Sequence, residues 1–349
     1  MTCDVSSREL ACYFPFLNKS SSYLSKRGFV LDIVLQDKSL IERSIARLRK
    51  SLSREPYNLR LCLDSPEEEA VAARLALYIA AATKNNYILK RFADSESKNF
   101  SETLKKTPGI QNLNCKIEIG KDLGIIAKPA QDVVTGIINA AFKTPVAIKW
   151  TSYLRYAPPD PFWAMINRVV VKGWVILPLD DFERILEEAY EEQILRIASE
   201  NELAVGRVSA SIDMSLIEDL LRKYAQRPVN ITKLSTEGPD PPCMKAILDA
   251  LKAGENLPHT ARFAIATYLL HKGWEVEQIV DLFRTSPDFN EKITRYQVQH
   301  IAGQVGGRKE YAVPSCETMN SWGLCPTNLG CGVKNPLQYG RRVAIKKSN

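Results

Sequence analysis

SCETMNSWGLCPTNLGC, residues 315–331, holds Cys316, Cys325 and Cys331 in one short stretch of a 349-residue chain that has five other cysteines. A disulfide framework, a zinc site, an iron–sulfur site and chance burial could each explain the crowding. The surrounding segment from Gly303 to Gly340 reads as mostly loop. A loop of that length inside a compact domain needs a staple, and the cysteines are the obvious one. Three thiolates leave a tetrahedral site one ligand short; Cys243, His259, His271 and His300 are the candidates for the fourth. Cys243 follows Pro241-Pro242 and opens a helical pattern, giving C-x72-C-x8-C-x5-C, which would close the two ends of one domain around one centre. Zinc sites usually carry a C-x2–4-C knuckle, absent here. Iron–sulfur spacings vary more and their ligands are as a rule all cysteine. Spacing alone leaves both metals open.

The length allows two or three domains. With 45% hydrophobic and 25% charged residues the composition is globular, and no run approaches the roughly 20 apolar residues of a membrane span. MTCDVSSREL, residues 1–10, has neither a basic start nor an apolar stretch, so a secretory leader is not expected. A cytoplasmic location follows as the expectation. Disulfides are then rare, except in hyperthermophiles, and the scattered Cys3, Cys12, Cys62 and Cys115 read as small buried hydrophobes. The formal charge is +7; from Lys292 onward nine Lys/Arg face two acids, so this end carries the whole excess. Phosphate-rich partners fit that distribution, as does a merely solvated basic tail from Arg341 to Lys347.

Working back along the chain, the expected fold is mainly α with a small α/β subdomain. An N-terminal helical domain spans 1–210, with the α/β unit at about 110–180 inserted in it. A helix and linker cover 211–242, and a helical C-terminal domain covers 243–349. Ile41, Ile45, Leu48 and Leu52 share a helix face. Ser65-Pro66-Glu67-Glu68-Glu69 is a helix start, with Ser65 as cap. A further helix is expected from about Ile88 to Lys105. CKIEIG (115–120) alternates like a strand, residues 130–142 read as a helix, and VAIKW (146–150) as a strand. NRVVVKGWVIL (167–177) reads as a hairpin turning at Lys172-Gly173, and Asp180 as the cap of a long amphipathic helix. The polar stretch 226–242 reads as a linker. Beyond it, helices close at Gly254 and Gly273, and shorter ones follow near 275–284 and 290–302.

PPCMKAILDALKAGENLPHTARFAIATYLLHKGW (241–274), TRYQVQHIAG (294–303) and the YAVPSC…GLC…C…NPLQY series (311–339) resemble the C-terminal domain of the archaeal and eukaryotic DNA primase large subunit. CYFPFL (12–17), FADSESK (92–98) and INRVVVKGWV (166–175) resemble its N-terminal motifs. The resemblance covers nearly the whole chain, most strongly from 241 to 340, and the short length suits the archaeal branch. It implies a [4Fe–4S] cluster on Cys243, Cys316, Cys325 and Cys331, with zinc the lesser alternative. It also implies a small catalytic primase subunit as heterodimer partner, and binding of template DNA, RNA/DNA primer and nucleotides. Whether a further accessory subunit joins them is left open.

Absences agree with a supporting role. Nucleotidyl transfer needs carboxylates that hold two metal ions. The chain offers neither a strand-borne D-x-D pair nor a phosphate loop of the G-x-x-x-x-G-K-[ST] type. Asp180-Asp181 sits at a helix start, and Asp94 and Glu96 are two apart on a helix, pointing to nearly opposite sides. The chain is therefore expected to be no enzyme by itself.

For contacts with nucleic acid or nucleotide, Arg262 can make bidentate phosphate bonds. Tyr296 and His300, four apart, offer a stacking ring and an imidazole. Arg308 and Lys309 after Gly306-Gly307 suit a phosphate nest. In the family, positions matching Arg262, Tyr296 and His300 fall in the nucleic-acid-binding region. Asn256 and Pro258 depart from the His and Arg of eukaryotic members. Each choice has a plain rival: Arg262 paired with an acid, Tyr296 in the core, His300 a structural histidine. The overall alternative is a stand-alone metal-stapled nucleic-acid-binding protein. An iron–sulfur redox enzyme fits less, since no flavin or nicotinamide motif accompanies the cysteines.

Overall fold

The computed structural model describes residues 3, 5–53, 62, 65–134, 144–158, 160–224, 239–306, 310–326 and 331–339. It divides into two compact units, residues 1–158 with 162–225, and residues 226–349 with 159–161.

The first unit contains helices α1 (Ser7–Tyr13), α2 (Asn18–Lys26), α3 (Leu31–Val34), α4 (Lys38–Ser53), α5 (Pro66–Ala82), α6 (Asn86–Lys106), α7 (Leu113–Asp122), α8 (Trp150–Tyr156), α9 (Leu179–Glu200), α10 (Glu202–Ser211) and α11 (Met214–Tyr224). Its strands are β1 (Ala127–Pro129), β2 (Val146–Lys149), β3 (Val169–Val171) and β4 (Trp174–Leu177). They form an antiparallel sheet in the order β1-β2-β4-β3. The mainly helical character with one small sheet matches the expected class.

The CYFPFL stretch plugs the helical core. Phe14, Phe16 and Leu17 are fully buried. Phe14 meets Phe100 edge-on at 4.9 Å, and Phe100 stacks on Tyr190 at 4.1 Å. Tyr190 Oη in turn accepts the Phe16 N–H at 3.3 Å. Such rings contribute through area and through their quadrupoles. Glu96 is also structural. Arg47 holds it in a fork at 3.1 and 2.8 Å, and Ser51 Oγ donates to it at 3.2 Å, all within the bundle. Asp94 pairs with Lys98 on the next turn.

The hairpin forms as expected, with positive φ at Lys172 (48°) and Gly173 (79°), the combination a two-residue hairpin loop requires. Residues 115–120 differ: they lie in α7, not in a strand. The Asn112 side chain caps this helix by accepting the Cys115 N–H at 2.7 Å. Gly120 lets it approach α9, where an added Cβ would lie 3.2 Å from Leu186 Cδ2. Alternation at Cys115, Ile117 and Ile119 imitated a strand, but Lys116 between them is buried too, paired with Glu183. Asp180 is likewise not a cap. β4 ends at Leu177, Pro178 is the extended N-cap of α9, which begins at Leu179, and Asp180 and Asp181 lie in its first turn. Ser65 precedes α5 but makes no side-chain cap bond, while Pro66 does open the helix. Of the expected helix at 130–142, Ala130–Asp132 is a 3-10 turn, and 135–143 lie outside the described residues. So does most of the expected linker, 226–238.

The four N-terminal cysteines are not lone buried thiols: Cys3 is joined to Cys115 and Cys12 to Cys62. Their Cα separations, 4.4 and 5.7 Å, lie in the bridging range. With partners 112 and 50 residues apart, no local spacing announced the pairs.

The second unit contains α12 (Pro242–Lys252), α13 (His259–His271), α14 (Val276–Phe283), α15 (Glu291–Ile301) and α16 (Cys316–Ser321). Gly254 and Gly273 follow α12 and α13 with φ of 67° and 84°, the left-handed turn that ends a helix. Met244, Leu251, Ile265, Tyr268, Ile279 and Met319 pack the core.

Candidate metal centre and nucleic-acid face

All four remaining cysteines, Cys243, Cys316, Cys325 and Cys331, belong to the second unit and are free thiols. Pro241 and Pro242 start α12 and set Cys243, which is buried, in its first turn. Ser315 caps α16 by accepting the Thr318 N–H at 3.1 Å, which sets Cys316. The Cys316 N–H donates to Lys334 O at 2.9 Å, and Asn335 Nδ2 donates to Val313 O at 3.2 Å. These bonds clamp the chain before Cys316 to the chain just after Cys331. Leu324 N–H donates to Met319 O at 2.9 Å, and Cys325 packs on the core.

Burial pushes the Cys243 thiol up to about 11, and the charges of Cys325, Cys316 and Cys331 add to the shift. Cys316 is raised by burial and then by Cys325 and Cys331. The four sulfurs are thus within electrostatic reach of one another. Among the described residues, no three His, Cys, Asp or Glu side chains converge as ligands of one ion do. His259, His271 and His300 are otherwise placed: His271 Nδ1 lies 2.9 Å from Thr267 O, and His300 faces Tyr296 and Tyr311.

Arg262 on α13 is partly buried. Its Nε donates to Leu257 O at 2.9 Å, and its Nη2 to Asn256 Oδ1 and Asp288 Oδ2, both at 2.6 Å. The paired-acid reading of Arg262 is therefore realised, and Asn256 serves to brace it. Pro258 is the N-cap of α13. The cleft beside Arg262, shared with His259, Phe263 and Phe289, is small, about 40 Å3.

Tyr296 is 57% exposed, so it is a surface ring rather than a core one. It stands 6.2 Å from His300, and His300 5.6 Å from Tyr311. Tyr311 meets Phe263 edge-on at 5.7 Å, and Phe263 meets Trp322 at 6.3 Å. A file of rings thus runs from α15 to the cysteine loop. Tyr311, Phe263 and Trp322 were not singled out in the sequence; the aromatics flanking Cys316 were the available signal. Gly306 abuts His300, since a Cβ there would lie 2.7 Å from the imidazole Cδ2. Arg308, Lys309 and the basic residues 341–347 lie outside the described residues.

The N-terminal domain model of the eukaryotic and archaeal DNA primase large subunit matches residues 15–207, and the C-terminal domain model of that subunit matches residues 234–338. The chain belongs to this family. It is similar to the DNA primase large subunit PriL of Methanocella arvoryzae, with 34% identity over 346 residues, 96% of this chain and 88% of the relative. Against PriL of Methanopyrus kandleri the identity is 54% over 102 residues, 29% of this chain and 25% of the relative. Against PriL of Archaeoglobus fulgidus it is 36% over 187 residues, 54% and 48% of the two chains.

Proposed function

We propose that this chain is the regulatory subunit of a two-part DNA primase in DNA replication. A separate small subunit performs nucleotidyl transfer, and this chain's second unit binds template and the 5′ end of the nascent primer. Family membership supports the subunit role. The observation that carries the site is the gathering of Cys243 with Cys316, Cys325 and Cys331 across 72 intervening residues, in the same unit as a file of rings exposed at Tyr296 and Tyr311.

The donor set suits a [4Fe–4S] cluster. Four thiols with no competing carboxylate or imidazole are the usual ligands of such a cluster. All four belong to the second unit, and the charges of Cys316, Cys325 and Cys331 act on the Cys243 thiol. When bound, the cluster supplies a structural cross-link between α12 and the loops around α16. Tyr296 and His300 then present a stacking surface.

The first unit suits the small subunit. Ile166 (92% exposed) and Val169 and Val170 of the edge strand β3 are exposed apolar side chains on the α/β unit. Exposed apolar patches of this kind mark protein contacts. Among the described residues no helix is long and apolar enough to cross a membrane.

Two measurements test the reading. Anaerobically purified protein should be brown with a broad visible absorption; a colourless protein carrying zinc overturns the cluster. Mixed with the small subunit it should support primer synthesis, and alone it should make no dinucleotide. Robust synthesis by the isolated chain overturns the division of labour.

A further inference from the structure

The strand register places Lys128, Lys149 and Trp174 on one face of the sheet. Lys128 stands opposite Ala147, Lys149 opposite Trp174, and Ala147 opposite Ile176. The opposite face, through Val146, Ile148, Val175 and Leu177, joins the helical core. Lys128 Nζ lies 4.5 Å from the centre of the Trp174 ring and Lys149 Nζ 5.4 Å. Next to them the hairpin turn brings Lys172 and Gly173, and a Cβ on Gly173 would lie 3.5 Å from Trp150 Cδ1 and 3.3 Å from Lys149 Nζ. Trp150 is 44% exposed. Lys128 also lines a groove of about 570 Å3 with Lys19 and Lys121.

Acids temper only part of this surface. Glu118 pairs with Lys121 and Lys19, and Asp132 lies in the groove wall. Lys128, Lys149 and Lys172 have no carboxylate partner among the described residues. A lysine held over an indole without a counter-ion keeps its charge available to an anion outside. Trp174 is half-buried against Ala147 and Ile176 and seats the lysines, while the exposed Trp150 offers a flat ring; one ring for a base and three cations for the phosphates are the two parts of a single-strand binding surface. An apolar partner would leave those charges buried and unpaired, which is costly.

We infer that the sheet end carrying Lys128, Lys149, Lys172, Trp150 and Trp174 is a second contact for single-stranded nucleic acid, separate from the rings of the second unit. The inference rests on the reading of the chain as a template-binding primase subunit. In that role it lengthens the track along which the full chain holds an unpaired template.

The test is fluorescence anisotropy of a labelled oligothymidylate with the full chain, over a salt series. Lys128→Ala with Lys149→Ala should weaken binding about tenfold. It should also flatten the slope of log K against log salt by about 1.4, two lysines at about 0.7 each for a single strand. Lys128→Arg with Lys149→Arg should restore both, and all variants should unfold at the wild-type temperature. Unchanged affinity and slope in the alanine variant, with wild-type binding lost through Tyr296→Ala, leave the template reading standing and overturn this inference. Failure of the wild-type chain to bind overturns both. Loss of co-purification with the small subunit at unchanged oligonucleotide affinity also overturns it, and makes the surface a protein contact.

Discussion

Arg262 Nη2 donates to Asp288 Oδ2 at 2.6 Å, while Asp288 Oδ1 is buried with no hydrogen-bond partner among the described residues. The carboxylate therefore depends on this guanidinium, and the guanidinium is already engaged on two of its three nitrogens. Arg262→Ala should lower stability by about 1.5–3 kcal/mol, the range for a hydrogen bond to a charged group whose loss strands the partner. Asp288→Asn separates this from a phosphate role, because it loosens the arginine without removing it. If Arg262 also reaches the primer 5′-triphosphate, Arg262→Ala lowers initiation more than extension of a supplied primer, and Asp288→Asn does not. Equal ratios in both variants, with lowered unfolding temperatures, assign Arg262 to structure alone.

Cys243→Ser should strip iron from the protein and expose residues 303–340 to protease. Metal-binding free energy in a loop-rich domain is folding free energy, on the order of 10 kcal/mol for a structural site. Cys62→Ser should leave iron content unchanged, since Cys62 pairs with Cys12 in the other unit. Iron assay and limited proteolysis check both. A full cluster in Cys243→Ser, with iron lost on replacing a histidine, shows the ligand set to be wrong.

Gly306→Ala should disturb His300 without touching it chemically. The substitution meets the imidazole at 2.7 Å and sits at a φ of 71°, where a side chain is strained. The neighbouring rings of Tyr296 and Tyr311 lose their spacer, so oligonucleotide affinity should fall about three- to tenfold, roughly 0.6–1.4 kcal/mol. Stability should drop by about 1 kcal/mol. Unaltered affinity would show that the orientation of His300 does not matter for binding.

What could be read in advance depended on whether the cause was local. The hairpin at Lys172-Gly173 and the helix ends at Gly254 and Gly273 were legible because a few neighbouring residues decide them. The strand reading of 115–120 failed because burial of Lys116 depends on Glu183, 67 residues away. The two disulfides were invisible for the same reason. At the candidate site, the cysteine spacing limited the metal to two choices, while the choice between them came from resemblance rather than periodicity. Arg262 illustrates the limit best: its residue type suggested phosphate, and its three bonds in the fold come from Leu257, Asn256 and Asp288.

Glu191 on α9 provides a test by pH. Burial raises its carboxyl to about 8 from 4.5, helped by the negative charges of Asp94 and Glu188 and opposed by Lys98 and Arg184. Glu188 is raised too, by burial first. An acid whose folded pKa exceeds its unfolded one keeps its proton in the native state after the unfolded chain has lost it. Its contribution is fully present below pH 4.5 and declines as pH rises through about 8. Glu191→Gln fixes the neutral form. The variant should therefore match wild type near pH 4.5 and exceed it at pH 8 by about 1–2 kcal/mol, after allowance for partial exposure of the site. Urea unfolding midpoints at pH 4.5 and pH 8 read the difference directly. A gap that stays constant with pH, or that widens toward acid, would show that the Glu191 carboxylate is solvated and charged in the native protein.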